Sequence, residues 1–156
     1  MVMRNRIRTW YRCALLVGGS LLLMGCPGPG DRMQFDETAS VYSSGDDVCF
    51  SIASSDGYRL YDIAINLRGT PPKDKKFIFN PALIISDGRL CISPSFYRFA
   101  DDGEFIVEYL LVSNTNKDDR VARKIVVGVG MKNKRAYNLQ LTDREIARPY
   151  GELSPQ

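Results

Sequence analysis

VCFSIASSDGYRLYDIAINL, residues 48–67, is the stretch on which the fold turns. Val48, Phe50 and Ile52 alternate with Cys49 and Ser51, the period-two pattern of a strand with one buried face. SSDG at 54–57 is turn chemistry, and YRLYDIAINL then resumes with aromatic and β-branched residues. The same grammar extends in both directions. TASVYS (38–43), KFIFN (76–80), RLCIS (89–93), EFIVEYLLVSN (104–114), ARKIVVGVG (122–130) and AYNLQL (136–141) read as strands. They are separated by SSGDD, RGTPPKDK, ISDG, ADDG, NTNKDD and MKNKR. Seven or eight short strands at this spacing predict an all-β antiparallel sandwich, immunoglobulin-like. Helix is expected only at the end, where Thr142 and Glu145 have capping-box spacing and Pro149 stops the turn; one or two turns on the surface, or frayed, are predicted.

The N-terminus reads differently. Arg4, Arg6, Arg8 and Arg12 precede an uncharged, mostly apolar run from Cys13 to Met24, the layout of a secretory signal. The run is shorter than the roughly 20 apolar residues that span a bilayer. It ends in Leu23-Met24-Gly25-Cys26, which resembles the bacterial lipobox. There the thiolate of the cysteine, here Cys26, takes a diacylglycerol and becomes the mature N-terminus. Pro27 and Pro29 prevent the greasy segment from continuing as a helix. Acyl chains worth about 0.8 kcal/mol per buried methylene then anchor the chain to a membrane. The expected organisation is a signal peptide over 1–25, a lipidated N-terminus and tether over 26–37, a sandwich over 38–141 and a tail over 142–156.

Removing the signal changes the charge. Four of the 21 Lys and Arg side chains precede Cys13, which leaves 17 basic against 18 acidic residues in the mature chain. A near-neutral surface without a basic stripe argues against nucleic acid as a partner. Cys49 and Cys91 remain as a pair in an oxidising compartment, and a disulfide is expected between them. Each stands on the strand face opposite its apolar neighbours, Val48 and Phe50 or Leu90 and Ile92, so the bridge should join adjacent strands of one sheet rather than cross the core. Closing a loop of about forty residues would stabilise the fold by roughly 4 kcal/mol on the chain-entropy account.

Catalytic chemistry is sparse. The chain contains no histidine, which excludes Ser-His-Asp and Cys-His catalysis and removes the commonest zinc ligand. The pairs Asp46-Asp47, Asp101-Asp102 and Asp118-Asp119 read as turn formers. GVG at 128–130 reads as a strand-end bulge or turn, since no helix follows it. Neither an enzyme activity nor a cofactor or metal is expected. Candidate contact residues are Tyr97 and Arg98 in SPSFYRFADDG (93–103), where Phe96 and Phe99 are expected to plug the end of the sandwich. Arg68, Lys73 and Lys75 in the basic loop RGTPPKDKK (68–76) form a second candidate for contact with an acidic partner.

At Cys26-Pro27-Gly28-Pro29-Gly30-Asp31-Arg32, followed by Phe35-Asp36-Glu37-Thr38, the chain resembles small enterobacterial lipoproteins described as type VI secretion immunity periplasmic lipoproteins. VCFSI, LCIS, FYRF and FIVEYLL extend the likeness over most of the mature chain, although only the N-terminal motif is specific. The resemblance implies a non-catalytic protein that binds and neutralises a secreted toxin delivered by neighbouring cells. A structural lipoprotein of an envelope or secretion assembly is the alternative. Pro27 in place of aspartate after the anchor points to the inner leaflet of the outer membrane, with the domain facing the periplasm.

Overall fold

The computed structural model describes residues 34–113 and 122–149. The signal, Cys26, most of the tether, the whole NTNKDD turn with Asp118-Asp119, and the last residues of the tail lie outside them.

Among the described residues nine strands form two sheets. The first has β1 (Ser40–Ser44), β2 (Asp47–Ser51), β6 (Arg89–Ile92) and β5 (Ile85–Ser86), in that spatial order. The second has β4 (Phe77–Phe79), β3 (Tyr58–Leu67), β7 (Gly103–Ser113), β8 (Ala122–Lys132) and β9 (Arg135–Leu139). All strand ladders are antiparallel; one isolated parallel bridge joins Glu37 to Ile125. The chain is a β-sandwich, as its period-two pattern predicts.

The two inner faces meet in one core. Val41, Val48, Phe50, Ile52, Leu90 and Ile92 come from the first sheet, and Ile63, Val107, Tyr109, Leu111, Ile125, Val127 and Val129 from the second. Cys49 and Cys91 face each other across the β2–β6 ladder with their Cα atoms 4.0 Å apart, and they form the expected disulfide within one sheet. Strict alternation fails at one place in β3. A bulge at Tyr61 resets the register between Leu60 and Asp62, so Leu60 and Ile63 both reach the core although they are an odd number of residues apart.

Two expectations need correction and a third is refined. The ISDG segment is not turn alone, because Ile85 and Ser86 pair with Leu90 and Arg89 to make β5, the extra strand. Only Asp87 and Gly88, at φ 50° and 71°, form the two-residue hairpin turn, the backbone signature of type I′. GVG does not end its strand either: β8 runs on to Lys132, and its true turn is Asn133-Lys134. Gly128 and Gly130 are there because β9 lies close. A Cβ on Gly128 would strike the carbonyl of Leu139, and one on Gly130 would strike the ring of Tyr137. The C-terminal segment makes the short turn expected of it, with Thr142, Asp143 and Arg144 at the surface, but it is anchored and not frayed. Leu141 and Ile146 are buried against Ile106 and Val126 on the outer face of the five-stranded sheet. Covered on both faces, β7 and β8 read as nearly continuous apolar runs. Glu145 Oε2 accepts both the Thr142 N–H at 2.8 Å and the Thr142 hydroxyl at 2.9 Å, while the Glu145 N–H returns to the Thr142 carbonyl, so one turn closes and no helix follows before the chain is drawn down onto the sheet.

Along one side the sheets are joined by side chains. The Val41 N–H donates to Asn138 Oδ1 at 2.7 Å, and the Ala136 N–H to Ser43 Oγ at 2.8 Å, tying β1 to β9. On the other side β4 and β5 end their sheets. No helix among the described residues is long and apolar enough to cross a membrane.

Candidate partner-binding surfaces

The residues singled out in the sequence go to two places, and a third surface was not among them. Tyr97, Arg98 and Phe99 follow β6 and close one end of the sandwich. Phe99 stands edge-on to Phe105 at 5.1 Å and Tyr97 edge-on to Phe99 at 4.9 Å, while Phe96 packs against the same core. The phenylalanines are therefore the expected plug. Tyr97 belongs to it as well, and burial raises its phenol pKa. Arg98 remains exposed beside it. Tyr97 and Arg98 line a cleft of about 260 Å³ with Asp46, Asp47, Asp101 and Lys134. One of its carboxylates is partly occupied, since Lys134 lies 4.0 Å from Asp101; the neighbouring Asp102 accepts the Asn133 N–H at 3.1 Å. Among the described residues no group of three or more His, Cys, Asp or Glu is placed to hold a metal ion.

The basic loop is tied to the five-stranded sheet through two of its three candidate contact residues. Arg68 turns inward, its Nε and Nη2 donating to the two carboxylate oxygens of Glu145 at 2.7 and 2.8 Å, with Glu104 at 3.2 Å and the Gln140 carbonyl at 3.1 Å. The hydrogen-bonded guanidinium holds the Glu145 carboxyl down at about 2, and the same contacts raise the pKa of Arg68. Lys75 donates to Glu108 at 2.6 Å. Glu108 is buried on the outer face of the five-stranded sheet, and Lys124 approaches its other oxygen at 3.6 Å while also reaching Asp36 at 3.4 Å. Arg68 and Lys75 thus neutralise carboxylates of the fold: leaving the buried Glu108 unpaired would cost several kcal/mol, and the more open Arg68–Glu145 pair contributes less. Lys73 alone of the three stays exposed and without an ion pair among the described residues. A further clamp passed unnoticed in the sequence: Arg123 binds both oxygens of Glu37 at 2.8 and 2.6 Å, caps the carbonyls of Ser54 and Ala53, and stacks 4.9 Å from the Tyr58 ring. Its hydrogen bonds lower the Glu37 pKa.

The third place was not anticipated. Phe77, Ile78 and Phe79, the whole of β4, are exposed, Phe79 at 64%. Tyr61 lies edge-on to Phe79 at 6.3 Å, and Ile84, in the connection to β5, is 84% exposed. Around this apolar edge stand Lys73 and Lys76, both exposed, and Arg59, whose guanidinium lies 6.0 Å from the Tyr61 ring. KFIFN carried a signal of this: three consecutive apolar residues without alternation mark a strand with no solvent face assigned, flanked by lysine and by Asn80-Pro81.

The family described as a domain of unknown function, DUF7480, matches residues 36–134, a span that takes in β1 to β8, both cysteines, the end cleft and the β4 edge. No curated protein and no solved structure matches the chain.

Proposed function

We propose that this chain, which belongs to the DUF7480 family, is a periplasm-facing lipoprotein that binds and neutralises a type VI secretion effector without itself catalysing a reaction. The observation that carries a protein partner is the β4 edge, where Tyr61, Phe77, Ile78, Phe79 and Ile84 expose apolar surface on a sandwich whose opposite side is tied shut. Apolar clusters with a charged rim are what protein contacts use. The N-terminal resemblance at Cys26 to Arg32 supports an effector as that partner and a lipid anchor at Cys26 as the tether. Tyr97 and Arg98, at the end cleft, offer a second contact of the residue types enriched in binding hot spots.

Affinity capture with the full chain, against periplasmic and secreted proteins of the same strain, tests this reading. Recovery of one toxin-like protein, whose activity falls in its presence, is the expected result. Recovery of membrane-complex subunits and no toxin would replace the reading with that of a structural lipoprotein of an envelope assembly.

A further inference from the structure

We propose that the open edge of β4 accepts an extended strand from a partner protein, and that the incoming segment carries carboxylates flanking its apolar residues. The inference rests on the reading above only in taking the occupant to be a protein.

The register supplies the first argument. The Asn80 N–H donates to the Tyr61 carbonyl at 2.8 Å, which makes that pair a hydrogen-bonded one. Bonded and non-bonded pairs alternate in an antiparallel ladder, so Ile78 exchanges its bonds with Ile63. Phe77 and Phe79 consequently turn their N–H and C=O groups away from β3. Nothing among the described residues pairs with that side, since β4 ends its sheet. The edge therefore presents two donors and two acceptors at the spacing of a strand, and a strand is the shape that satisfies all of them at once.

The second argument is the surface that accompanies those groups. By cross-strand pairing Ile78 shares a face with Ile63, and Phe77 and Phe79 share the other with Ala64 and Asp62. Apolar surface is open on both faces of β4, so an added strand would bury side chains above and below the sheet as well as its backbone. Edges are ordinarily blunted by a charge or proline within the strand, by a bulge, or by a covering loop. Here Lys76 and Pro81 stand just outside β4, and the strand itself is Phe-Ile-Phe.

Charge selects the occupant. Lys73 and Lys76 stand at the entry to β4, and Arg59 is on β3 beside Tyr61, whose ring meets Phe79 at the exit. None of these three cations has an ion pair among the described residues, and Asp74 is the one exposed carboxylate in the loop between them and β3. A second copy of the chain would bring the same cations against these; a strand with acidic flanks would pair with them.

The probes are two synthetic peptides of alternating valine and threonine, one with glutamates and one with lysines at both ends. Each is titrated into the full chain in detergent micelles, with affinity read by fluorescence anisotropy and backbone protection by hydrogen exchange. The acidic peptide is expected to slow exchange at Phe77 and Phe79 and to bind more tightly than the basic one. Lys73→Glu with Lys76→Glu is expected to weaken the acidic peptide about five- to tenfold and to favour the basic peptide. Phe79→Pro, which removes one outward donor and leaves the Ile78–Ile63 exchange in place, should abolish protection. Equal affinity for both peptides, protection at Tyr97 and Arg98 instead of β4, or binding of neither peptide would overturn the inference. A concentration-dependent dimer that protects the same amides would also overturn it, making a second copy the occupant. Capture of an effector is read separately: capture that survives Phe79→Pro refutes the edge alone, and peptide binding with no effector captured refutes the immunity reading alone.

Discussion

Arg68 shows how one side chain can change roles between a linear and a folded chain. In sequence it opens a basic loop; in the fold its guanidinium grips Glu145, 77 residues away, and so holds the C-terminal segment on the sheet. Because the Glu145 carboxyl is held at about 2, below its ordinary value of 4.5, the pair stabilises the fold above that ordinary value. The contribution declines as pH falls through the window between the two. Arg68→Met is expected to cost about 1 kcal/mol near neutral pH. The gap between wild type and variant in urea unfolding should shrink below pH 4.5 and vanish near pH 2. Cys49 and Cys91 act at the same scale but through the unfolded state. The double variant Cys49→Ala with Cys91→Ala should lose roughly 4 kcal/mol in oxidising buffer. The untreated wild-type pair should not react with a thiol probe under native conditions, and reaction there would contradict the bridge.

Among the elements, β8 and β9 carry the clearest test of why a strand tolerates glycine. Gly128 faces the backbone carbonyl of Leu139, which can move only if β9 moves. Gly130 faces the ring of Tyr137, a partly exposed side chain that can swing aside. Gly128→Ala should therefore cost about 2–3 kcal/mol and Gly130→Ala about 1 kcal/mol, measured by thermal unfolding. A larger loss at Gly130 would mean that the Tyr137 ring is held in place. The bulge at Tyr61 is a second local device with distant effects. It turns Leu60 and Ile63 to one face and leaves Tyr61 beside Phe79 at the apolar edge. Strand content was legible from the period-two runs, and β3 has the bounds that its sequence predicts. The bulge was not legible, because YRLYDIAINL reads equally well with either alternation until β7 supplies a register.

At the scale of the whole molecule, the sandwich is asymmetric. One side is sealed by Asn138 and Ser43, one end is plugged by Phe96, Tyr97 and Phe99, and the β4 edge is open. Lipidation at Cys26, outside the described residues, would hold that object against a membrane. Cys26→Ser is expected to move the protein from the membrane fraction to the soluble or unprocessed pool on fractionation, with the unfolding midpoint of the domain unchanged. Retention in the membrane fraction would remove the anchor from the proposal. Taken by itself, the sequence determined what depends on neighbours along the chain: most strand and turn positions, the inward set of Val48, Phe50, Ile52, Leu90 and Ile92, and the in-sheet pairing of the two cysteines. Those follow from the two-residue period of a strand, which any short window displays. Only the tertiary structure decided which charges are spent and which surfaces stay open. Arg68 and Lys75 are drawn inward by Glu145 and Glu108, and β4 is left bare because no other strand among the described residues reaches its outer side. Burial of a charge and exposure of an edge depend on what arrives from elsewhere in the chain, and that is settled when the sheets pack.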